Sequence, residues 1–450
     1  MLGLTLRKIA RSVHGGTAMT FALFLPVLLL LIGGAVDFSR MIQLRSELQD
    51  AADAASIGSI AVNSDAFKAG VAMTGDGTVS TGTTQAQTIF TGDMRPHSDL
   101  TGVTSSAVIT KTGTTITSIV TANASYTSNM LGLFNNSFAH IPISITSTSS
   151  ATVPPYIDFY LLLDNSPSMG LGATTADINK LVAATATKSS DNNCAFACHE
   201  LDKPSTGSNM DYYDLAKSIG VTMRIDVVRQ ATQNLMTTAS TTETQVNQYR
   251  MAIYDFGLTA DSISATAPGA YQISALNSNL TQSSTNAAAI DLMTVAAQND
   301  NSDRQTNFTS VLADMNTRIP AEGSGLSSTS TQKVLFIVSD GVNDGYDCGY
   351  SNGSSCRRIT PMNTATCTTL KARGVRIAVL YTTYLLLNQG QNSFFDSYVR
   401  PYLTPTSQVA TAMQSCASPG LYFEVSPSQG ISDAMQALFK KVVSVVRIDA

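Results

Sequence analysis

The sequence contains no tryptophan, and charged residues make up only 13% of its 450 positions, against roughly 25% in typical soluble domains. Lysine and arginine number 27 and acidic residues 32, so the formal net charge is −5. The chain therefore lacks the basic excess with which nucleic-acid-binding proteins neutralise phosphates. Hydrophobic residues reach 43%, which excludes wholesale disorder because so apolar a chain can bury large cores.

No charged residue lies between Arg11 and Asp37. The apolar segment 17–36 has the length of about 20 residues that spans a hydrocarbon core. The basic residues of the tail 1–16 are Arg7, Lys8 and Arg11. Because a basic flank stays in the cytoplasm, we expect a single-pass inner-membrane helix with everything after Asp37 in the periplasm. A cleavable signal peptide is the alternative, but Asp37 and a charged helix follow the apolar segment directly.

Two different sequence patterns follow the apolar segment. Residues 37–62 predict a helical stalk, because apolar side chains recur at helical spacing: Phe38, Met41, Ile42, Leu48, Ala52 and Ala55. Its Ala-rich face belongs either to a plain stalk or to a pilin-like helix that packs against other such helices. Residues 63–153 alternate apolar residues with Ser and Thr, and the stretch 78–92 shows the same alternation. This pattern predicts a β-rich periplasmic segment with a hairpin turn at Lys111–Thr114. Pro154 and Pro155 end it.

Beyond Pro155, continuous apolar runs alternate with helical patterns, which predicts an α/β fold with a doubly wound, mostly parallel sheet over 156–447. The predicted strands are 156–163, 249–256, 333–339, 375–381 and 421–425. The predicted helices are 211–236, 308–318 and 430–446, with insertions near 170–210 and 342–366. Ligands of such sheets bind at the carboxyl ends of the strands, where Asp164 and Asp340 fall.

Hydroxyl and carboxylate side chains cluster at those strand ends. Asp164, Ser166 and Ser168 form a D-x-S-x-S motif after one strand, Thr306 precedes a later helix, and Asp340 follows another strand. An all-oxygen set suits a hard cation, Mg²⁺ first and Mn²⁺ or Ca²⁺ as alternatives. The motif resembles the metal-ion-dependent adhesion site (MIDAS) of von Willebrand factor type A domains. The resemblance implies that these five residues hold the cation and that an acidic group of a partner fills its open position.

Other interpretations explain less of the sequence. A haloacid-dehalogenase-like, Mg²⁺-dependent phosphatase would use Asp164 as nucleophile and Asp340 as a metal ligand, but Ser166 replaces the general acid which that family needs. Lys111–Thr114 and Ser330–Lys333 resemble two motifs of penicillin-recognising enzymes in reversed order. A third alternative is a structural envelope spacer with a silent metal site.

The six cysteines are Cys194, Cys198, Cys348, Cys356, Cys367 and Cys416. In an oxidising compartment an even number favours disulfides, with 15 connectivities open. We expect the pairs Cys194–Cys198, Cys348–Cys356 and Cys367–Cys416, because the first two close short loops. Haem attachment or zinc binding at Cys194, Cys198 and His199 is a weaker alternative, since haem attachment uses two residues between the cysteines and three occur here.

The N-terminus resembles the TadE/TadG-type module of tight-adherence (Flp) pilus assembly proteins. The resemblance is carried by residues 15–23, by Ala35-Val36-Asp37 and by Leu48–Ala55. TadG-like members join this module to a von Willebrand A domain. The resemblance implies a non-enzymatic pilus-assembly or cell-adhesion factor whose partners are the membrane and pilin or other envelope proteins, with neither nucleic acid nor a small-molecule substrate. Prepilin-like relatives carry Glu five residues after the cleaved Gly, where this chain has Thr20 or Phe21, which agrees with an uncleaved anchor.

Overall fold

The computed structural model describes residues 16–188, 192–201, 210–258, 270–297, 305–346, 357–384, 386, 394–426 and 430–444. The chain divides into two compact units, an N-terminal unit Met1–Val153 and a C-terminal unit Pro154–Ala450. The predicted basic tail up to residue 15 and the predicted Cys348–Cys356 pair lie outside the described residues.

Helix α1, Gly16–Ser59, is 44 residues long and contains Pro26. Within the described part of the chain it is the one helix long and apolar enough to cross a membrane, with a mean hydropathy of 2.4 in its most apolar window. Its first half exposes large apolar side chains from Met19 to Ile32. One continuous helix therefore covers the predicted anchor and most of the predicted stalk.

The N-terminal unit contains a four-stranded sheet in the order β1-β2-β3-β4, with all pairs antiparallel. Its strands are β1 Gly77–Thr78, β2 Leu100–Thr112, β3 Thr115–Thr127 and β4 His140–Thr152. Its further helices are α2 Asp65–Ala72, α3 Thr81–Asp93 and α4 Leu131–Phe134. The predicted hairpin is confirmed: Thr112 pairs with Thr115, and Gly113 takes the positive φ of 58° that a tight turn requires.

The second half of α1 packs on this sheet. Its buried stripe consists of Leu44, Leu48, Ala51, Ala52 and Ala55. At its end the Ser56 hydroxyl lies 2.9 Å from that of Ser147 and 2.7 Å from that of Ser149. The Ala-rich face thus packs within its own unit, against the sheet and helix α3. Phe38 and Ile42 of the predicted stripe are 58% and 50% exposed.

The strand pattern predicted over residues 78–92 was wrong, because most of that stretch forms helix α3. Its buried residues are Gly82, Ala86 and Phe90, one helical turn apart. The Cβ of Ala66 lies only 2.4 Å from where a Cβ on Gly82 would stand, so α2 and α3 approach closely. The alternation of Ser and Thr with apolar residues concealed this period of four.

The C-terminal unit contains a six-stranded sheet in the order β12-β11-β8-β5-β6-β7, in which only the β6–β7 pair is antiparallel. The strands are β5 Ile157–Leu163, β6 Tyr249–Asp255, β7 Tyr271–Asn277, β8 Gln332–Ser339, β11 Arg376–Thr382 and β12 Tyr422–Val425. A separate ribbon pairs β9 Val342–Tyr346 with β10 Arg357–Pro361. Read from β7 and numbered within this sheet alone, the order is 3-2-1-4-5-6, which confirms the doubly wound, mostly parallel sheet.

Helices cover both faces of the six-stranded sheet. They are α5 Thr175–Thr185, α6 Tyr212–Ser218, α7 Arg224–Thr242, α8 Leu280–Asn286, α9 Phe308–Arg318, α10 Ala365–Ala372, α11 Gln408–Cys416 and α12 Ile431–Ser444. Alternate residues of β5 point to opposite cores, Phe159 and Leu161 to the side of α7 and α12, Tyr160 and Leu162 to the side of α9 and α11. The predicted helix 211–236 is two helices, broken at Gly220 with φ of 67°.

The predicted Cys367–Cys416 disulfide is confirmed and joins α10 to α11 with a Cα separation of 5.2 Å. The predicted Cys194–Cys198 disulfide was wrong, since the two cysteines are not joined to each other. Between them Phe196 forms a β-bridge with Leu171. The Cys194 thiol instead donates to the Phe196 carbonyl at 3.3 Å.

Candidate metal centre

The two central strands of the six-stranded sheet end in the residues predicted to bind a cation. Leu163 of β5 pairs with Val338 of β8, so Asp164 and Ser339 emerge side by side and Asp340 follows. The chain leaves these two strands toward opposite edges of the sheet, which makes this the point where such folds bind ligands. After Asp164 the D-x-S-x-S segment enters a short 3₁₀ turn, Pro167–Gly170.

Hydrogen bonds hold the first carboxylate in place. The Ser166 backbone N–H donates to Asp164 Oδ1 at 2.9 Å, and the Ser339 hydroxyl donates to Asp164 Oδ2 at 2.5 Å. The Gly341 backbone N–H in turn donates to Ser339 Oγ at 2.9 Å. The hydroxyls of Ser166 and Ser168 lie 3.0 Å apart, so D-x-S-x-S presents a carboxylate and two hydroxyls together.

The second carboxylate joins the same cluster. The side chains of Ser168 and Tyr384 hydrogen-bond to Asp340. Asp164 and Asp340 are both fully buried. Burial, together with the neighbouring charge of Asp340, raises the pKa of Asp164 to about 7, against the hydrogen bonds from Ser166 and Ser339. Burial also raises the pKa of Asp340, although the charge of Arg224 opposes this. Two adjacent buried carboxylates of this kind favour the uptake of a cation or a proton.

The fifth predicted ligand lies at the edge of this cluster. Thr306 exchanges two backbone hydrogen bonds with Asp344, of 3.0 and 2.9 Å, and is 4% exposed. It borders, with Ser168 and Tyr384, a cavity of about 380 Å³. Four of the five predicted ligands thus form a chain of contacts: Asp164 with Ser166, Ser166 with Ser168, and Ser168 with Asp340. Thr306 lies on the wall of the cavity that Ser168 also lines.

The donor set fits a hard divalent cation. Carboxylate and hydroxyl oxygens are the ligands that Mg²⁺ prefers. In the described part of the chain, Asp340 Oδ2 is buried and has no hydrogen-bond partner, which is the state of an oxygen that a metal ion would satisfy. The same oxygen lies 3.8 Å from Nη1 of the fully buried Arg224. The positively charged guanidinium of Arg224 is therefore next to the site.

The sequence did not reveal Ser339, Tyr384 or Arg224. Ser339 and Tyr384 lie at the carboxyl ends of β8 and β11, and that position was a signal that could have found them. Arg224 begins helix α7, and no local pattern relates it to Asp340.

Residues that carried the alternative interpretations have other contacts. At Ser166, where the phosphatase family needs an acid, a hydroxyl contacts Ser168. Lys333 lies 3.3 Å from Asp158 and donates to Thr331, which satisfies the lysine of the Ser-x-x-Lys motif. Lys111 belongs to the other unit, where it donates to the Met73 carbonyl.

Residues 15–59 match a family model described as "Putative Flp pilus-assembly TadE/G-like". The N-terminal segment is TadE/G-like. None of the curated proteins compared with the chain matches it.

Solved structures that are similar to this chain include pilus proteins. The von Willebrand factor domain of the type V pili tip protein Mfa5 from Porphyromonas gingivalis is 9% identical, covers 66% of this chain and 99% of its own, and gives a TM-score of 0.36. The pilus adhesin SpaC from Lactobacillus rhamnosus GG is 12% identical, with coverages of 76% and 34% and a TM-score of 0.33. A von Willebrand factor type A protein from Catenulispora acidiphila is 9% identical, with coverages of 72% and 45% and a TM-score of 0.29. The fold is defined by the strand order of the six-stranded sheet.

Proposed function

We propose that this chain is a membrane-anchored, non-enzymatic pilus-assembly or adhesion factor that binds an acidic group of a partner through a divalent cation. The cation would be held by Asp164, Ser166, Ser168, Thr306 and Asp340, with Mg²⁺ as the first candidate. The TadE/G-like segment supports a role in pilus assembly. The observation that carries the metal site is the unsatisfied, buried Oδ2 of Asp340 beside the hydrogen-bonded D-x-S-x-S segment.

Several features favour recognition over catalysis. A cation held by these oxygens would supply a Lewis acid for a carboxylate of the partner. Asp164 is held by Ser166 and Ser339, so it is oriented as a ligand and not as a mobile base. Nδ1 of His199, the histidine next to Cys198, lies 2.9 Å from Oδ2 of Asp211 and is paired with that carboxylate. The partner is proposed to be a pilin or another envelope protein with an accessible acidic side chain.

The first test measures metal binding directly. The full chain in detergent is titrated with MgCl₂ and MnCl₂ by calorimetry, as wild type, as Asp164→Ala and as Asp433→Ala, a control at an exposed aspartate of the same unit. We expect binding of one divalent ion to the wild type and the control, and none to Asp164→Ala. Unchanged affinity in Asp164→Ala would exclude this ligand set.

The second test addresses the partner. Tagged wild type and Ser168→Ala are used to capture proteins from envelope extracts with and without EDTA. A pilus or envelope protein should be retained by wild type with metal, and lost with EDTA or in Ser168→Ala. Metal-dependent hydrolysis of a phosphate ester that disappears in Asp164→Asn would instead support the phosphatase alternative.

A further inference from the structure

Arg224 is a fully buried cation at the candidate metal centre. Its Nη2 donates to the Thr383 carbonyl at 3.0 Å, and its Nη1 lies 3.8 Å from Asp340 Oδ2. The guanidinium carbon lies 5.5 Å from the centre of the Tyr384 ring. Within the described residues, Nε and Nη1 of Arg224 and Oδ2 of Asp340 have no hydrogen-bond partner. Two of these unsatisfied atoms, Nη1 of Arg224 and Oδ2 of Asp340, thus lie close together in the buried site.

This position is unfavourable for an arginine on local grounds. Arg224 is the first residue of α7, and the amino end of a helix carries a partial positive charge that disfavours a cation. A fully buried guanidinium is also costly unless a negative charge compensates it. Asp340 is the carboxylate with which Arg224 forms an ion pair. Arg224 is therefore held by the Thr383 carbonyl and by the charge of Asp340, while its place at the helix start opposes its charge.

The charges of the site show what Arg224 changes. Asp164 and Asp340 supply two negative charges, which a divalent cation alone would neutralise. With Arg224 present, the metal-loaded site retains one positive charge. That charge repels an incoming cation and attracts an incoming carboxylate, and both effects are strong in a buried environment.

We propose that Arg224 is a specificity-determining residue that weakens cation binding and strengthens carboxylate binding by the metal-loaded site. This inference rests on the proposed function and concerns the same site. In the metal-free protein, Arg224 supplies the positive charge that lets Asp164 and Asp340 lie side by side. The unit then folds without metal, and the metal is loaded reversibly onto a preformed site.

The experiment compares wild type, Arg224→Met, Arg224→Lys and Asp164→Ala as full chains in detergent. MnCl₂ affinity is measured by calorimetry, and melting temperature is measured without metal. Acetate is then titrated into the Mn²⁺-saturated proteins, and water-proton relaxation reports its entry beside the paramagnetic ion. Arg224→Met should bind Mn²⁺ at least about tenfold more tightly and acetate at least about tenfold more weakly. It should also melt at a lower temperature without metal, whereas Arg224→Lys keeps the charge and should stay near wild type in all three.

The outcomes separate this inference from the proposed function. If Asp164→Ala loses Mn²⁺ but Arg224→Met binds Mn²⁺ no more tightly than wild type, the role of Arg224 is overturned and the metal site stands. If only Arg224→Met binds Mn²⁺, the proposed function fails and the antagonism between Arg224 and cations is supported. Absence of binding in every protein overturns both. Arg224→Gln, which keeps a donor for the Thr383 carbonyl, replaces Arg224→Met if that variant does not fold.

Discussion

Ser339 donates a hydrogen bond of 2.5 Å to Asp164 from the neighbouring strand. The bond joins the ends of β5 and β8 at the candidate metal centre, and Ser339 is itself fixed by the Gly341 backbone N–H. It leaves the other carboxylate oxygen of Asp164 to the Ser166 N–H. Ser339 is therefore a positioning residue for a proposed ligand and not a ligand itself.

Ser339→Ala should weaken Mn²⁺ binding by about 10–100-fold, the usual effect of removing a group that orients a metal ligand. The reason is that Asp164 loses the donor that fixes its orientation. Calorimetry on the full chain measures the affinity, and Ser218→Ala, at an exposed serine of the same unit, serves as the control. Equal affinities in Ser339→Ala and wild type would show that the hydrogen bond does not position Asp164 for metal.

Asp255→Asn should stabilise the protein at alkaline pH. Burial raises the pKa of Asp255 to about 8, so the folded state favours the protonated form. Its contribution to stability is complete below the unfolded pKa of about 4 and is lost as pH rises through about 8. The asparagine stays neutral and keeps an oxygen for the Gly257 N–H, which lies 3.1 Å from Asp255 Oδ1.

The melting temperature of Asp255→Asn should therefore exceed that of wild type by at least about 2 °C at pH 9, which corresponds to about 1 kcal/mol, and the difference should shrink toward pH 4. Melting curves recorded at about pH 4, 6, 8 and 9 compare the two proteins across the titration of Asp255. Asp433→Asn, at an exposed site, should follow wild type. A constant difference at all pH values would contradict the assignment of the titration to Asp255.

The double substitution Cys367→Ser and Cys416→Ser should lower the free energy of unfolding by about 2–5 kcal/mol. The disulfide joins two helices across a sequence separation of 49 residues, and its loss frees that loop in the unfolded chain. Differential scanning calorimetry under oxidising conditions measures the change. Wild type treated with a reductant during unfolding and refolding should approach the variant. Identical melting of both proteins without reductant would disprove a stabilising disulfide.

Asp158→Ala should destabilise the C-terminal unit by about 3 kcal/mol without changing metal affinity. Asp158 lies at the amino end of β5, where Arg250 contacts both of its oxygens at 2.7 Å and Lys333 lies 3.3 Å away. Removing the carboxylate leaves the buried Lys333 without its counter-charge. Arg318→Ala, which breaks an exposed pair with Asp314, should cost less than about 1 kcal/mol. Denaturant titration compares the two, and equal losses would contradict the role assigned to burial.

Residues beyond Asp37 are expected in the periplasm because Arg7, Lys8 and Arg11 flank the apolar segment on its other side. A β-lactamase reporter fused after Ala450 should confer resistance, since this enzyme protects cells only after export. A fluorescent reporter that folds only in the cytoplasm should stay dark. Replacing the three basic residues by Gln should reduce the export of the first reporter. Strong cytoplasmic fluorescence of the wild-type fusion would reverse the proposed orientation.

The parts of the fold that were predictable from sequence are those with unambiguous periods. β5 and β8 are continuous apolar runs, buried on both faces, and their ends located Asp164 and Asp340. Helix α3 was not predicted because two of its three buried residues, Gly82 and Ala86, are small, so its period did not stand out from the Ser/Thr background. Strand β7 was not predicted because it is a half-exposed edge strand with few apolar residues.

The parts of the site that were not predictable depend on contacts distant in sequence. Arg224 meets Asp340 only because α7 and β8 come together in three dimensions, and a helix-start position offers no reason to expect an arginine. The Cys194–Cys198 prediction failed for a related reason. Loop length indicated a disulfide, but Phe196 pairs with the distant Leu171 and the Cys194 thiol contacts the Phe196 carbonyl.

The continuity of α1 has a mechanical consequence. At about 1.5 Å per residue, the 44 residues of this helix measure about 66 Å, more than twice the thickness of a hydrocarbon core of about 30 Å. In the proposed orientation the helix leaves the membrane without a break and enters the core of the β1–β4 sheet. No flexible linker or hinge therefore separates the sheet from the membrane-spanning part of the helix. A load applied to the N-terminal unit is carried as shear along the helix–sheet contact, through Leu44 and Leu48 to the hydrogen bonds of Ser56, and reaches the bilayer along one rigid rod.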